Sequence, residues 1–600
     1  MTLSLQIDCL PEAPWPTRTE PGLALLRVTP SAGPSIWVAL SAPERILRTR
    51  DLSRVQPLLL EAEAAARDGC IVAGFLCYEA APAFDAALRV HPAGGGPLLW
   101  FGIYRQVHRL ATGPVVDGDA ASAVLDWSAS MKEPEYCAAI ARIKDYIAAG
   151  DTYQVNYTLR LAAGFHGDPL ALFGRLVAAQ PARYAAYLDC DEAVLCSVSP
   201  ELFFRLEGEQ LIFKPMKGTV RRGPYAERDQ AQAQWLRESP KNRAENLMIV
   251  DMIRNDAARI AQPGSITVPR LFEVERYPTL WQMTSTVTAR TEASVAAILG
   301  ATFPCASITG APKVRTMQII RELEPTPRGI YTGAIGYLAP DRQAQFNVAI
   351  RTVWIDRKRG EARYGTGGGI VADSEAAAEY NECRAKGLVL IAAAQSFSLL
   401  ETLRWTPDEG FHLLSEHLDR VLASAAYFDV PLIADAVRDA LASVVAGGVT
   451  SLRVRLLVER SGRITAEARP FVAPPSTSAL RVALAATPVS SSDAFLYHKT
   501  TMRAVYERAR AARPDCDEVL LWNERGEVTE FTAGNLIAVR GEEQITPPLA
   551  CGLLAGTERR ALLDRGELTE RVIQRDDLSG FDALYFLNSV RGRIRVQVIS

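Results

Sequence analysis

Apolar and polar positions along the chain divide it into two stretches of different character. In EPEYCAAIARIKDYIAAGD, Ala139, Ile140, Ile143 and Ile147 recur at helical intervals, which predicts a helix closed by Gly150. TYQVNYTLRLAAGF follows with the alternation of a strand. ENLMIVDMIRND is apolar nearly all round and predicts a buried helix with a few polar residues inside. In ITGAPKVRTMQIIRELEP, Thr309 and Gly310 precede Pro312, the order of a helix start. YGTGGGIVADSEAAAEYNECRAKGLVLIAAA predicts a strand, a glycine loop, and a long helix capped by Asp373 or Ser374. After about residue 395 the pattern resets: FSLLETLRW reads as a new strand, SEHLDRVLASAAYFDV as an amphipathic helix, and ARPFVAPPSTSA as a proline-rich connector. Residues 1–125 mix short apolar runs with turns such as HPAGGGP. The expected organisation is α+β, with a main boundary near Gln395 and a minor one near Pro474, giving stretches 1–125, 126–395, 396–474 and 475–600.

Composition narrows the class without naming it. A chain of 600 residues has room for roughly four domains of about 150 residues. The hydrophobic share of 48% and charged share of 22% are those of ordinary globular protein. A net charge of −3 gives no electrostatic case for nucleic acid or an anionic membrane, so any bound anion must be held by local groups. No apolar run reaches membrane-spanning length, and MTLSLQIDCLPEAPWP lacks the basic and apolar regions of a signal peptide. Ten scattered cysteines without a C-x-x-C pair, and six dispersed histidines, argue against a zinc site. The reading is a cytoplasmic protein with reduced thiols.

The chemistry of the first stretch begins with carboxylates. Glu379 and Glu382 are three apart on the expected long helix and share a face, while Glu245 stands at the mouth of the expected buried helix. Carboxylates from separate elements suit Mg²⁺, which takes oxygen ligands and shares them with substrate. Gly367, Gly368 and Gly369 allow a ligand close to the backbone. The turn at Gly218–Thr219 and the helix start after Thr309 and Gly310 offer N–H groups to an anion. Arg351, in the strand-like NVAIRTVWI, can fork onto a carboxylate. Together these describe a pocket for a small polyanion held partly through a divalent metal. Lys217, in PMKGTVRRG, adds a flexible amine directly before an anion-binding turn.

Residues 130–395 closely resemble the catalytic domain of chorismate-utilising enzymes. The stretches that carry the resemblance are GDTYQVNYTLRL, SVSPELFF, PMKGTVRRG, NRAENLMIVDMIRND, PCASITGAPKVRTMQII, GAIGYLAP, AIRT and GTGGGIVADS, with EYNECRAKG following. The resemblance implies chorismate as substrate, Mg²⁺ as cofactor, Tyr337 of GAIGYLAP among the substrate contacts, and a large fold of stacked sheets that includes residues 1–125. Anthranilate synthases carry a small residue where Lys217 stands, and aminodeoxychorismate synthases carry the lysine. In that branch the lysine attacks C2 of chorismate and the C4 hydroxyl leaves; ammonia then attacks C4 and releases the lysine. Glu201 of SPE matches the family's general acid. Isochorismate- and salicylate-forming relatives place a water-activating lysine at the position of Gln154, and many relatives have histidine at Gln282. No glutaminase motif is visible, so ammonia is expected from solution or from a separate glutamine amidotransferase subunit. The alternative is an anthranilate synthase fused to an aminotransferase.

In the second stretch, YHKTTMR places Lys499 between apolar segments, GEVTEFTAGNLIAV supplies Glu530, and LLAGTERRALL makes a Gly556–Thr557 helix start suited to phosphate. Arg420 of HLDRVLASA can pair with phosphate. A lysine, an acid and a phosphate nest are the parts of a pyridoxal 5'-phosphate site. Residues 398–600 resemble the fold-type IV pyridoxal-phosphate family, which includes branched-chain and D-amino-acid aminotransferases and aminodeoxychorismate lyase. The resemblance implies that Lys499 carries the cofactor, that Glu530 faces its ring nitrogen, that Ser589 lies near its phosphate, and that 396–474 and 475–600 are the small and large subdomains. The family's opening hairpin, with its YGDG-like turn, is missing before FSLLETLRW. Lyase and aminotransferase stay open on these residues alone. The fusion favours the lyase, which would release pyruvate and 4-aminobenzoate from the product of the first stretch.

Overall fold

In the computed structural model the described residues are 10–29, 34–114, 126–180, 182–392, 397–472 and 479–599. None of their helices is long and apolar enough to cross a membrane. They group into two units. One takes in residues up to 220 together with 234–395; the other takes in 221–233 together with 396–600. The expected boundaries near Gln395 and Pro474 fall on residues outside those described.

The first unit is built on two large sheets, of eleven and ten strands. In the first, β1 (Gln154–Gly164) pairs antiparallel with β4 (Glu361–Ile370) over ten residues, from Glu361 opposite Gly164 to Ile370 opposite Val155. In the second, β2 (Met216–Arg221) forms one end of the sheet beside β3 (Leu280–Arg290). An apolar layer of Leu26, Phe75, Trp100, Tyr104, Leu188 and Ile335 draws on strands of both sheets, so the sheets are stacked face to face across it. A second core, with Phe101, Phe204, Phe213 and Phe346, joins the ten-stranded sheet to α2 (Pro240–Ala258).

The helix α1 (Glu133–Ala148) buries Tyr136, Ala139, Ile140 and Ile143 against Tyr157 and Leu159 of β1, and Gly150 ends it at φ +80°. The helix α2 departs from expectation. Only the stripe Asn246, Ile249, Val250, Ile253 and Ala257 is buried, and Leu247 is 44% exposed. A nearly unbroken apolar run therefore packs on one side only, because the sheet covers a single face. The helix α3 (Lys313–Leu323) begins later than its sequence suggests: Gly310 and Ala311 pair with Val155 and Gln154 of β1, and Pro312 is the N-cap.

Two further expectations change. The glycines 367–369 are not a loop but the end of β4, opposite Thr158, Tyr157 and Asn156 of β1. A Cβ on Gly367 would fall 2.4 Å from the Tyr157 carbonyl oxygen, so only glycine lets the two strands lie this close. Arg351 is not in a strand. It sits at φ +51° in the corner between strands Gln343–Val348 and Thr352–Asp356.

The second unit has a four-stranded antiparallel sheet and an eight-stranded mixed sheet. In the smaller one β5 (Leu399–Thr406) pairs with β6 (Leu452–Val458), and α5 (Leu414–Phe428) buries Leu418, Val421 and Ala425 in the same core. The segment bearing Lys499 extends β5 from outside: the Leu400 N–H donates to the Lys499 carbonyl at 2.9 Å, and Leu399 bridges Thr500. The larger sheet contains β7 (Val528–Phe531) and β8 (Gly534–Arg540), and α6 (Thr557–Asp564) follows it.

Candidate active sites

In the first unit Lys217 projects from β2, just before Gly218 at φ +90°. Gly218 and Thr219, expected as an anion-binding turn, lie within β2, and two buried amides hold this stretch. Gln282 of β3 donates to the Gly218 carbonyl at 2.8 Å and accepts from the Thr219 hydroxyl at 2.8 Å. Asn246 of α2 donates to the Lys217 carbonyl at 3.3 Å. Gln154 of β1 approaches Gly369 of β4, as Lys217 does: a Cβ on Gly369 would lie 2.1 Å from Gln154 Nε2 and 2.9 Å from Lys217 Nζ. The lysine amine, the Gln154 amide and the glycines of β4 therefore converge on one place. Burial pulls the Lys217 pKa below the ordinary lysine value, while Glu245 opposes the shift.

Glu201 lies at the start of strand Leu202–Glu207, 3% exposed, with Oε1 lacking any hydrogen-bond partner. Burial pushes its pKa up to about 7, and the Ser307 hydroxyl and Lys217 keep it from rising further. A carboxyl that is half protonated near neutrality is suited to proton donation. Gln154 Oε1 and Arg351 Nη1 are likewise buried without partners. Each of these atoms is left able to meet a ligand.

The carboxylates come from two helices. Glu245 stands on α2, and Glu379 and Glu382 on α4 (Ala376–Ala392). A Cβ on Gly368 would fall 2.9 Å from Glu379 Oε2, which ties α4 to the glycine strand. Burial raises the Glu245 pKa against the pull of Lys217 and Lys241; burial also raises that of Glu379, against the hydrogen bond from Ser374 at 2.7 Å. Half-exposed Glu382 is held below the usual carboxylate range by the Lys386 ammonium 2.8 Å away. Among the described residues no three acidic, histidine or cysteine side chains are gathered as a ready-made metal cage.

Three expected contacts lie elsewhere or face inward. Tyr337 is 7% exposed in the apolar layer between the sheets, packed with Ile335 and Ala339. Its strand, Ala334–Ala339, turns that side chain into the core rather than toward Lys217. Thr309 is fully buried and spends its hydroxyl on the carbonyls of Cys305 and Ala306. Gly310 gives its backbone to β1, which corrects the expectation of free helix-start N–H groups there. Lys386, Asn246 and Ser307 were not singled out from sequence. Lys386, which donates to the Gly367 carbonyl at 2.7 Å, is part of the quoted EYNECRAKG, but its reach across to β4 is a tertiary fact.

In the second unit a cavity of about 750 Å³ is lined by Lys499, Glu530, Asn535, Gly556, Thr557 and Ser589 among others. Lys499 is pulled down to about 8 by burial and by Arg420. Glu530 is 3% exposed and pushed up to about 8 by burial, with Tyr506 donating to Oε1 at 2.9 Å and Asn535 to Oε2 at 3.3 Å. Gly556, at the N-cap of α6, has no room for a side chain: a Cβ would meet Asn535 Oδ1 at 1.9 Å. Arg420 is more constrained than a free phosphate partner. Its Nε and Nη2 donate to Glu401 at 2.8 and 2.6 Å, and Nη1 donates to the Ala555 carbonyl at 3.1 Å. The same Glu401 meets His417 Nδ1 at 2.7 Å, and His417 Nε2 lies 3.1 Å from the Ser589 hydroxyl and 3.3 Å from that of Thr557. Glu401 and His417 thus orient the groups at the α6 end of the cavity, a relay invisible in sequence because its members are spread over residues 401–589.

Residues 31–392 match the family model described as chorismate binding enzyme, and residues 398–599 the one described as amino-transferase class IV. Aminodeoxychorismate synthase component 1 of Klebsiella aerogenes is 46% identical over 260 residues, 43% of this chain and 57% of that protein. Anthranilate synthase component 1 of Streptomyces coelicolor is 36% identical over 272 residues, 45% of this chain and 53% of that protein. The chain spans little more than half the length of the curated relatives it matches. Among solved structures, anthranilate synthase component I from Streptococcus pneumoniae has the same fold, with a TM-score of 0.53 at 24% identity, covering 61% of this chain and 94% of that one.

Proposed function

The chain belongs to the chorismate-binding enzyme family, and from that premise we propose that it makes 4-aminobenzoate from chorismate in two steps. The first unit replaces the C4 hydroxyl of chorismate by an amino group; the second eliminates pyruvate from the product. The observation that carries the first step is the Lys217 amine, drawn below its ordinary pKa and facing the glycines of β4, in the same unit as a Glu201 carboxyl raised to about 7.

Lys217, as free amine, attacks C2 of the ring. The C4–O bond breaks, and Glu201 gives the leaving hydroxyl its proton, so that water departs. Ammonia then bonds to C4 as the C2–N bond to Lys217 breaks, which restores the amine. The ammonia comes from a separate glutamine amidotransferase subunit. Gln154 has no basic nitrogen and does not activate water for a competing hydroxylation. Glu245, Glu379 and Glu382 would hold Mg²⁺, which would neutralise a substrate carboxylate. The mutual repulsion of Glu379 and Glu382, and the raised pKa values of Glu245 and Glu379, fit a site that awaits a cation. Arg351, with Nη1 unpartnered, can take a carboxylate.

In the second unit the residues fit pyridoxal 5'-phosphate. The Glu530 carboxyl, raised by burial against the pull of Tyr506, Lys499 and Arg503, suits a protonated ring nitrogen, and the Gly556–Thr557 start of α6 with Ser589 suits a phosphate. When bound, that group supplies an electron sink. Lys499, near 8 without it, would carry the cofactor and take the proton from C4 of the substrate. Arg420 and His417, oriented by Glu401, would position the groups at the phosphate end.

Incubation with chorismate, Mg²⁺ and ammonium tests the reading. Equal amounts of 4-aminobenzoate and pyruvate are expected. Anthranilate as product would overturn the first step, and accumulation of aminodeoxychorismate would overturn the second in favour of an aminotransferase.

A further inference from the structure

Residues 221–233 take no part in the chemistry described above, yet they belong to the second unit and bring a buried ion pair into it. Asp229 accepts from Arg222 Nε at 2.9 Å, from Arg222 Nη2 at 2.5 Å and from the Gly223 N–H at 3.1 Å. Both side chains are almost fully buried, and a buried charge persists only where it is paired. The locked guanidinium is aimed at the C-terminal end of α5. Its Nη1 donates to the Tyr427 carbonyl at 2.7 Å, and its Cζ lies 4.0 Å from the centre of the Tyr427 ring. A cation is favoured at a helix C-terminus and over an aromatic face. The Tyr427 hydroxyl donates back to the Gly223 carbonyl at 2.9 Å.

From there the contacts reach the lysine of the second site. The Tyr427 ring lies 4.3 Å from the His498 imidazole, whose Nδ1 is 3.0 Å from the Ser424 hydroxyl. Tyr225 stacks on Tyr497 with ring centres 5.0 Å apart and planes 29° from parallel. Tyr497 and His498 are the two residues before Lys499. Both are packed against groups set by residues 222–225, and the Lys499 carbonyl is fixed from the other direction by Leu400 of β5. Residues 221–233 thus add packing to this unit from a distant part of the sequence.

We propose that residues 221–233 are a positioning element of the second site: the Arg222–Asp229 pair and Tyr225 fix Tyr497 and His498, and through them the direction in which Lys499 leaves the backbone. The inference rests on the reading of Lys499 as the cofactor-bearing residue. Full-length Tyr225→Ala, Asp229→Asn and Tyr427→Phe variants test it, with Tyr225→Phe as the conservative control. Pyridoxal 5'-phosphate is added to each, and its binding and the pH at which its absorbance changes are read without substrate. Tyr225→Ala and Asp229→Asn are expected to bind it about tenfold more weakly and to shift the titration, and Tyr225→Phe to restore both. Pyruvate release should fall in kcat rather than KM, while ammonium-dependent chorismate consumption in the same preparations persists. If the first two variants do not fold, Tyr427→Phe, which removes one hydroxyl, is expected to shift the titration in the same direction. Binding and titration within about twofold of wild type in every folded variant would overturn the proposal. A wild-type protein that binds no pyridoxal 5'-phosphate would overturn the reading of Lys499 itself, and the proposal with it.

Discussion

The Lys217 amine faces the bare Cα of Gly369, at a distance that a single methyl group would close to 2.9 Å. The amine and the strand therefore share a space that no other residue type leaves open. Gly369→Ala is expected to press on two flexible side-chain ends, Lys217 and Gln154, rather than on backbone. Stability should fall by only about 1–3 kcal/mol, while amination of chorismate falls about 10²-fold through misplacement of the amine. Thermal unfolding and steady-state rates measured together separate the two effects; an unaffected amination rate would show that the amine does not work at this strand.

Lys217→Ala should abolish C4 amination with the fold intact, and Glu201→Gln should slow loss of the hydroxyl by about 10²–10⁴-fold. The pH profile of the wild type carries the same assignment. Glu201 must be protonated to act, so its limb falls as pH rises through about 7. Lys217 must be neutral, so its limb rises with pH through a value below the ordinary lysine pKa. In Glu201→Gln the falling limb should vanish; if it persists, another group supplies the proton.

Mg²⁺ dependence should follow the carboxylates. Glu245→Ala and Glu382→Ala are expected to remove the Mg²⁺ response of chorismate turnover, with Glu379→Ala weaker. A double variant titrated with Mg²⁺ that responds like wild type would reduce the cluster to a solvated face.

Lys499→Ala should leave chorismate consumption in place, lose the visible absorbance of bound cofactor, and accumulate aminodeoxychorismate. Glu530→Ala should be milder, because the cofactor still binds while its ring is a poorer electron sink. Continued enzymatic release of 4-aminobenzoate by Lys499→Ala would remove the lysine from that role.

Glu401 predicts an acid-sensitive second unit. Buried between Arg420 and His417, it is held far below the usual carboxylate range by Arg420 first and His417 next, despite its burial. A carboxylate whose folded pKa is depressed stabilises the fold above its unfolded pKa of about 4.3 and loses that contribution as pH falls through the folded value. Glu401→Gln should cost about 3–5 kcal/mol near neutrality, because the buried Arg420 guanidinium loses its charged partner and His417 its acceptor. Its unfolding temperature should also depend less on pH below about 4 than that of wild type.

Much of the first site was legible because its residues lie in contiguous, unusual strings. Lys217 with Gly218, and Glu379 with Glu382, carry their spacing in the sequence. What sequence could not give was direction. The glycines 367–369 read as a loop because glycine weakens strands in general, yet here the partner strand β1 forces it. Tyr337 sits in a matching string but on the core side of its strand, a choice made by the sheet stacked on it. Gln282, marked in the sequence only as the place where many relatives have histidine, grips the backbone around Lys217, a contact between residues 64 apart. The same holds for the contacts of Arg222 with Tyr427 and of Tyr225 with Tyr497, each across two hundred residues or more.

Arg351 sits in a left-handed backbone conformation, with a buried guanidinium nitrogen that nothing in the described protein satisfies. Each feature works against folding: a strained non-glycine φ costs on the order of 1–3 kcal/mol, and an unpaired buried donor costs a similar amount. A glycine here would adopt the same corner without strain and leave no orphan. A screen for thermostability alone would therefore select Arg351→Gly, enriching sturdier molecules that lack the guanidinium proposed to take a substrate carboxylate.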